Sequence, residues 1–237
     1  MLLKNIDFHF TELPSVQEYF TTNLQIKNII SLSNFRIQET HLPKLKGGKD
    51  CIKPLKVVFL SRIIKEKGYP LIFEILQEFK NDQLSDIIDV SFYGSIRETE
   101  KIDFENNIEK FSNCQYKGIL PPNEIPQVLA NFDVLILPTT YQGEGLPGAI
   151  IDAYMAGIPV LVNNWMEIST FINQGKTGYF VDNNNVKDYS AILKDLQSNS
   201  QTLKHLKLNA RKEYEEKYHH ENIWNTLNMV CKFDNLH

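Results

Sequence analysis

Two short segments, far apart in the chain, carry the residue types that bind phosphate and sugar. In Val57-Val-Phe-Leu-Ser-Arg62-Ile-Ile-Lys-Glu-Lys67-Gly68 an apolar run opens into a loop, and a helix is predicted over 69–79. Arg62 offers a planar fork of donors and Lys67 a compact point charge, and both suit a diphosphate. Two cations just ahead of a helix N-terminus oppose the helix dipole, so the placement is unfavourable unless an anion lies between them. In the second segment, Asp133-Val-Leu-Ile-Leu137 feeds a loop holding Gly143, Glu144, Gly145 and Gly148. A helix follows, with Pro147 near its first turn, where a missing N–H costs nothing. Its free N–H groups and partial positive charge form a seat for a phosphate. Glu144 and Asp152 flank that seat, with carboxylates suited to sugar hydroxyls. Gly and Pro also punctuate ordinary strand–helix turns; it is the pair of segments that argues for a site.

The elements around these residues place them on one rim. Short strands apolar on both faces are predicted at 56–61, 89–93, 114–117, 133–137, 158–162 and 178–181. Helices are predicted between them, at 69–79, 99–111, 123–130, 148–156 and 167–174, and from 186 to the end the chain reads as helical. Strands of this kind alternating with helices predict a parallel, doubly wound α/β sheet. Ligands of such sheets lie beyond the carboxyl ends of the strands, where Arg62 and the Glu144 loop both fall. Ahead of this region, 16–24 reads as a helix and 27–32 as a strand.

These residues resemble a known pattern. The chain is similar to the C-terminal, nucleotide-sugar-binding half of retaining GT-B glycosyltransferases of the family-4 type, from about residue 56 to about 218. That family's Arg-x4-Lys-Gly motif matches Arg62-Ile-Ile-Lys-Glu-Lys67-Gly68. Its Glu-x7-Glu motif matches Glu144-Gly-Leu-Pro-Gly-Ala-Ile-Ile-Asp152, with Asp in the second slot. The resemblance implies a doubly wound, Rossmann-like sheet, a single GT-B half, with C-terminal helices. It implies that Arg62 and Lys67 hold the donor diphosphate, that Glu144 approaches the donor sugar, and that Asp152 accepts from the ribose hydroxyls. By the same resemblance the backbone at Gly145, Leu146, Gly148 and Ala149 meets the phosphates. Gly94 and the loop from Leu120 to Asn123 lie near the donor. It implies sugar transfer with retention from a UDP- or GDP-linked donor to a glycan or lipid-linked acceptor. Neither a cofactor nor a divalent metal is required.

Three departures accompany the resemblance. Asp152 is one methylene shorter than the usual Glu. Thr170 stands where the family often has Glu, with Glu167 a turn away. Residues 1–37 read as a remnant of the N-terminal acceptor domain, ending in Ser33-Asn-Phe-Arg36, with 38–55 as linker, 56–218 as the donor-binding domain and 219–237 as the crossover helix. The expectation is therefore a shortened gene product, or half of an enzyme completed by a second chain. The last helix, with Trp224, Leu227 and Val230 on one face, is expected to be partly unsupported or covered by another subunit.

Composition restricts the alternatives. The 237 residues are 42% hydrophobic and 23% charged, and the net charge of −4 gives no support to nucleic-acid binding. Cys51, Cys114 and Cys231 show no Cys-x-x-Cys spacing, which suits a reducing cytoplasm and argues against zinc. No apolar run approaches a membrane span, although a peripheral contact at the inner membrane face fits a lipid-linked acceptor. His219 and His220 are adjacent, so on a helix they face different directions and do not form a metal pair. Tyr141 reads equally as a stacking residue or as packing over its loop, and Trp165 as pocket lining or core. No Gly-x-Gly-x-x-Gly follows the first strand, which argues against a dehydrogenase.

Overall fold

The computed structural model describes residues 3, 6–37, 41–45 and 54–231. Most of the expected linker and the end of the expected crossover segment lie outside the described residues. The order of elements is β1 (His9–Thr11), α1 (Pro14–Thr22), β2 (Ile29–Ser31), β3 (Leu55–Leu60), α2 (Tyr69–Asn81), β4 (Ile88–Tyr93), α3 (Lys101–Ile108) and β5 (Cys114–Tyr116). Then come α4 (Ile125–Leu129), β6 (Val134–Leu137), α5 (Gly148–Ala156), β7 (Val160–Asn163), β8 (Gly178–Val181), α6 (Val186–Ser198), α7 (Ser200–Glu213) and α8 (His220–Cys231).

Strands β3 to β8 form one six-stranded sheet in the order β5-β4-β3-β6-β7-β8, parallel throughout. The chain winds outward from β3 to β5, returns to β6 beside β3, and then winds the other way. The β3/β6 boundary is thus the point where strand order reverses. The crevice beyond the carboxyl ends of these two strands is where such sheets bind ligands.

The sequence chemistry of the central strands explains their position. Every residue of β6 and β7 is buried, and β3 is buried at all but its second and last positions. Helices cover both faces of such a sheet, which is why the strands read as continuous apolar runs. Helix α2 turns Leu71, Ile72, Ile75, Leu76 and Phe79 inward at helical spacing. Its Phe73 joins an aromatic cluster, with ring centroids 5.5 Å from Phe92 and 5.8 Å from Phe104. Seven of the nine residues of α5 are buried, and Asp152 is the only charged one.

The predicted strands fall within a residue or two of the observed ones. The differences lie elsewhere. The helix expected at 167–174 is only a 3-10 turn, Ile168–Phe171, with Ile168 alone buried; the Thr170 hydroxyl donates to the Glu167 carbonyl at 2.6 Å and closes the turn. The helix expected at 99–111 shrinks to α3, after a 3-10 turn at Glu98–Glu100. Strand β1, unforeseen, pairs in parallel with β2 as a separate two-stranded sheet. Three residues are too few for alternation to register as a pattern. After α7 the chain makes a π-helical turn, Tyr214–Tyr218, before α8. In α8 the buried position is Ile223, while Trp224 is 54% and Met229 80% exposed. Trp224 thus lies on exposed apolar surface, as expected of a partly unsupported face.

No helix among the described residues is long and apolar enough to cross a membrane. Because Phe92 is fully buried and its ring meets Phe59, Phe73 and Phe104, Phe92→Ala is expected to destabilise the fold by ~3–5 kcal/mol, measurable by urea unfolding.

Candidate functional site

The loop after β3 and the loop after β6 meet at the reversal point of the sheet. Their backbones are joined directly: the Thr140 N–H donates to the Glu66 carbonyl at 2.8 Å. Gly68, the residue after Lys67, has φ 89°, and a β-carbon there would overlap the Pro138 carbonyl at the end of β6. Only glycine takes this backbone angle without strain and admits the close approach. The glycine of the first segment therefore serves to press the Lys67 loop against the β6 strand end.

The approach brings Lys67 to Glu144. Lys67 Nζ is ion-paired with Glu144 Oε2, and the residues are only 7% and 9% exposed. The Thr139 hydroxyl lies 2.9 Å from the same carboxylate oxygen. The Tyr141 ring covers the pair, with Lys67 Nζ 4.6 Å and the guanidinium carbon of exposed Arg62 5.8 Å from its centroid. Tyr141 thus packs over its loop and gathers both cations by cation–π attraction. Trp165 packs against the core and donates its Nε1–H to the Tyr141 carbonyl at 2.9 Å, which fixes the loop from behind. Gly94, at the end of β4, backs against Ser61, the residue before Arg62, and its N–H donates to the Gly118 carbonyl at 2.9 Å.

At the start of α5 the expected anion seat is partly filled by the protein itself. The Glu12 carboxylate, from the segment between β1 and α1, accepts the Leu146 N–H at 3.0 Å and the Asn34 N–H at 3.0 Å. It lies directly over Gly145. Arg36 crosses the next turn of the site, and a β-carbon on Gly148 would overlap its Nη2. The Arg36 fork grips Asp152, Nε to Oδ1 at 2.6 Å and Nη2 to Oδ2 at 3.3 Å. Burial raises the Asp152 carboxyl above its ordinary range, and Arg36 opposes that rise. Beside this pair opens a cavity of about 470 Å³, lined among others by Phe35, Arg36, Pro122, Asn123 and Asp152. Ala149, half-buried, follows Gly148 in the first turn. Leu120 is half-buried and is not part of that lining; the residues of its loop that reach the cavity are Pro122 and Asn123.

The structure brings Arg62 and Lys67 to Tyr141 and Glu144. Gly145, Leu146, Gly148, Ala149 and Asp152 follow along the same loop and the start of α5, Gly94 backs the strand end before Arg62, and the loop following Leu120 borders the cavity beside Asp152. The participation of Glu12 was not legible in the sequence. A single acid in a short turn carries no spacing signal, and its partner in the site, Leu146, is 134 residues downstream. Glu167 does not enter the cleft; its Oε2 accepts the Ser15 N–H at 3.2 Å at the start of α1, and its Oε1 meets the Ser15 hydroxyl. Among the described residues no group of three or more His, Cys, Asp or Glu side chains is arranged to hold a metal ion.

A cleft at the reversal point, with a buried Lys–Glu pair between two loops, can now be compared with known proteins. The family model described as glycosyl transferases group 1 matches residues 51–213. The chain belongs to this family. Among curated relatives it is 24% identical over 204 residues to the poly(ribitol-phosphate) alpha-N-acetylglucosaminyltransferase of Staphylococcus aureus, which covers 84% of this chain and 38% of that protein. It is 26% identical over 171 residues to the capsular polysaccharide biosynthesis glycosyltransferase CapM of Staphylococcus aureus, 71% of this chain and 43% of that one. The chain thus spans well under half the length of these relatives. Among solved structures, Anabaena HepE in complex with UDP superposes with a TM-score of 0.78 at 14% identity, over 95% of this chain and 64% of that one. Staphylococcus aureus TarM, crystallised with UDP among other ligands, gives 0.74 at 22%, over 95% and 44%. The group 1 match and these structures agree on a parallel, Rossmann-like GT-B fold.

Removing one member of the buried pair leaves the other charge desolvated. Lys67→Met alone is expected to cost ~3–5 kcal/mol of stability, and the double change Lys67→Met with Glu144→Gln much less. Chemical denaturation of the three proteins checks this, and an equal loss in the single and double variants would overturn it.

Proposed function

We propose that this chain is the donor-binding half of a retaining, family-4-type glycosyltransferase that takes its sugar from a nucleoside diphosphate. The observation that carries the reading is the convergence of Arg62, Lys67 and Glu144 with the glycine-lined start of α5 at the β3/β6 reversal point. In this reading Arg62 and Lys67 take the diphosphate, and the amides of Leu146, Gly148 and Ala149 face its oxygens. Charge grows on those oxygens as the glycosidic bond breaks, and donors already aimed there lower the barrier. Glu144, held by Lys67 and Thr139, takes the sugar hydroxyls, and the cavity beside Asp152 takes the nucleoside. The side chains and amides supply this chemistry with no cofactor and without a divalent metal. UDP in the structures of TarM and HepE favours a UDP-linked donor, and relatives such as CapM favour assembly of a surface polysaccharide on a glycan or lipid-linked acceptor at the cytoplasmic side of the membrane.

A second feature bears on how the enzyme is completed. Strands β1 and β2 pair in parallel, yet Phe8 beside them and Phe10 within β1 are exposed. Parallel sheets are normally covered on both faces. We read the pair as the edge of a larger acceptor-side sheet, continued either by more of the same polypeptide or by a second chain. A complex of two chains is recorded for the structural neighbour GtfA/B, which covers 95% of this chain at a TM-score of 0.71.

A thermal-shift series with UDP, GDP and ADP tests the site. One of the three is expected to raise the melting temperature, and Arg62→Ala, an exposed change with little effect on folding, should remove most of that rise. A shift untouched by Arg62→Ala would place the nucleotide elsewhere. Because the Glu12 carboxylate already occupies the Leu146 amide, Glu12→Gln should tighten UDP binding by about threefold or more; calorimetric titration checks this, and weaker binding would mean that Glu12 assists the ligand instead.

A further inference from the structure

We propose that Arg36, and not Asp152, is the group that recognises the nucleoside end of the donor, with Asp152 acting as a positioning residue that aims the guanidinium. This rests on the reading of the cleft as a nucleoside-diphosphate-sugar site.

Asp152 reaches the cavity but offers a ligand little surface. The residue is 7% exposed, and each of its carboxylate oxygens already accepts a hydrogen bond from Arg36. With one methylene fewer than Glu, it reaches less far from the helix. Arg36 is placed to do what Asp152 cannot. A guanidinium carries five N–H donors. One from Nε and one from Nη2 go to Asp152, and one from Nη1 goes to the Phe35 carbonyl at 3.1 Å. That leaves a further N–H on each terminal nitrogen. The Arg36 side chain is 34% exposed and borders the 470 Å³ cavity together with Asp152, Pro122 and Asn123. Its apolar lining and few polar groups fit a ring and its sugar.

The position of Arg36 is built rather than incidental. Its N–H donates to the Tyr218 carbonyl at 3.2 Å, and its carbonyl accepts the Tyr214 hydroxyl at 3.3 Å. Both tyrosines belong to the π-helical turn between α7 and α8. Such insertions are frequent at functional sites, and this one carries the backbone contacts that hold Arg36 over the start of α5. The absence of a side chain at Gly148 is what lets the guanidinium lie there. A fork anchored at both its backbone and its carboxylate partner loses little freedom when it binds. Because guanidinium only donates, it selects acceptor oxygens of the ribose or base, whereas a free carboxylate would select hydroxyl donors.

Calorimetric titration of the full chain with UDP and, separately, with inorganic pyrophosphate tests the assignment. Arg36→Ala should weaken UDP binding by about tenfold and pyrophosphate binding much less. Arg36→Lys, which keeps the charge and loses the fork, should weaken UDP nearly as much, and it serves if the alanine variant fails to fold. Asp152→Asn should weaken UDP, and adding it to Arg36→Ala should cost nothing further, because the two act as one unit. Asp152→Glu, which supplies the longer acid, should also weaken UDP by displacing the fork. UDP binding unchanged or tightened by Arg36→Ala, or tightened by Asp152→Glu, would overturn the proposal. Equal losses for UDP and pyrophosphate on Arg36→Ala would overturn it too, making Arg36 a phosphate ligand. Loss of both ligands on Arg62→Ala, with neither lost on Arg36→Ala, would reject Arg36 while sparing the site. A wild-type chain that binds neither ligand would end both readings.

Discussion

The ion pair between Lys67 and Glu144 joins the two halves of the sheet at the point where its strand order reverses. Each residue lies in a loop that leaves a central strand, and each loop is also anchored by buried apolar residues, Ile63 and Ile64 in one and Leu146 in the other. Desolvating two charges is expensive, and the attraction between them repays that cost only with good geometry and further hydrogen bonds. Here the geometry is enforced by Gly68, which lets one loop press against the strand end of the other. The hydrogen-bonding group is Thr139, and Tyr141 and Trp165 close the site from above and behind.

The segment ahead of β3 is drawn into the same cleft from the opposite side. Glu12 lies on the Leu146 amide, Arg36 on Asp152 and over Gly148, and Glu167 accepts the Ser15 N–H at the start of α1. Acid meets free amide and base meets acid along the whole contact. This complementarity explains how a two-stranded sheet and one short helix keep their position on a much larger α/β body. It also means that a ligand reaching the Leu146 amide would have to displace the Glu12 carboxylate.

Much of the fold was legible because its signals are local. Buried parallel strands read as apolar runs, α2 shows its inward face at helical spacing, and Gly and Pro mark the turns between them. Elements whose existence depends on distant partners were illegible. Strand β1 exists only because β2 lies beside it. The turn at Ile168–Phe171 replaces an expected helix, although Ile168 and Ile172 both reach the core and Phe171 packs against it. The exposed Trp224 agrees with a partly unsupported last helix, while Ile223, which no spacing marked, takes the packed side.

Sequence alone established the parallel α/β class, the two loops with their cations, acids and glycines, and their common position at the carboxyl ends of strands. Each follows from residue type and near-neighbour spacing, and neither changes with what lies across the molecule. Only the tertiary structure decided the pairings: Lys67 with Glu144 across 77 positions, Glu12 with Leu146 across 134, and Arg36 with Asp152 across 116. A charge has no sequence-encoded partner. Its partner is whichever opposite group the packed core brings within reach while excluding the water that would otherwise solvate both.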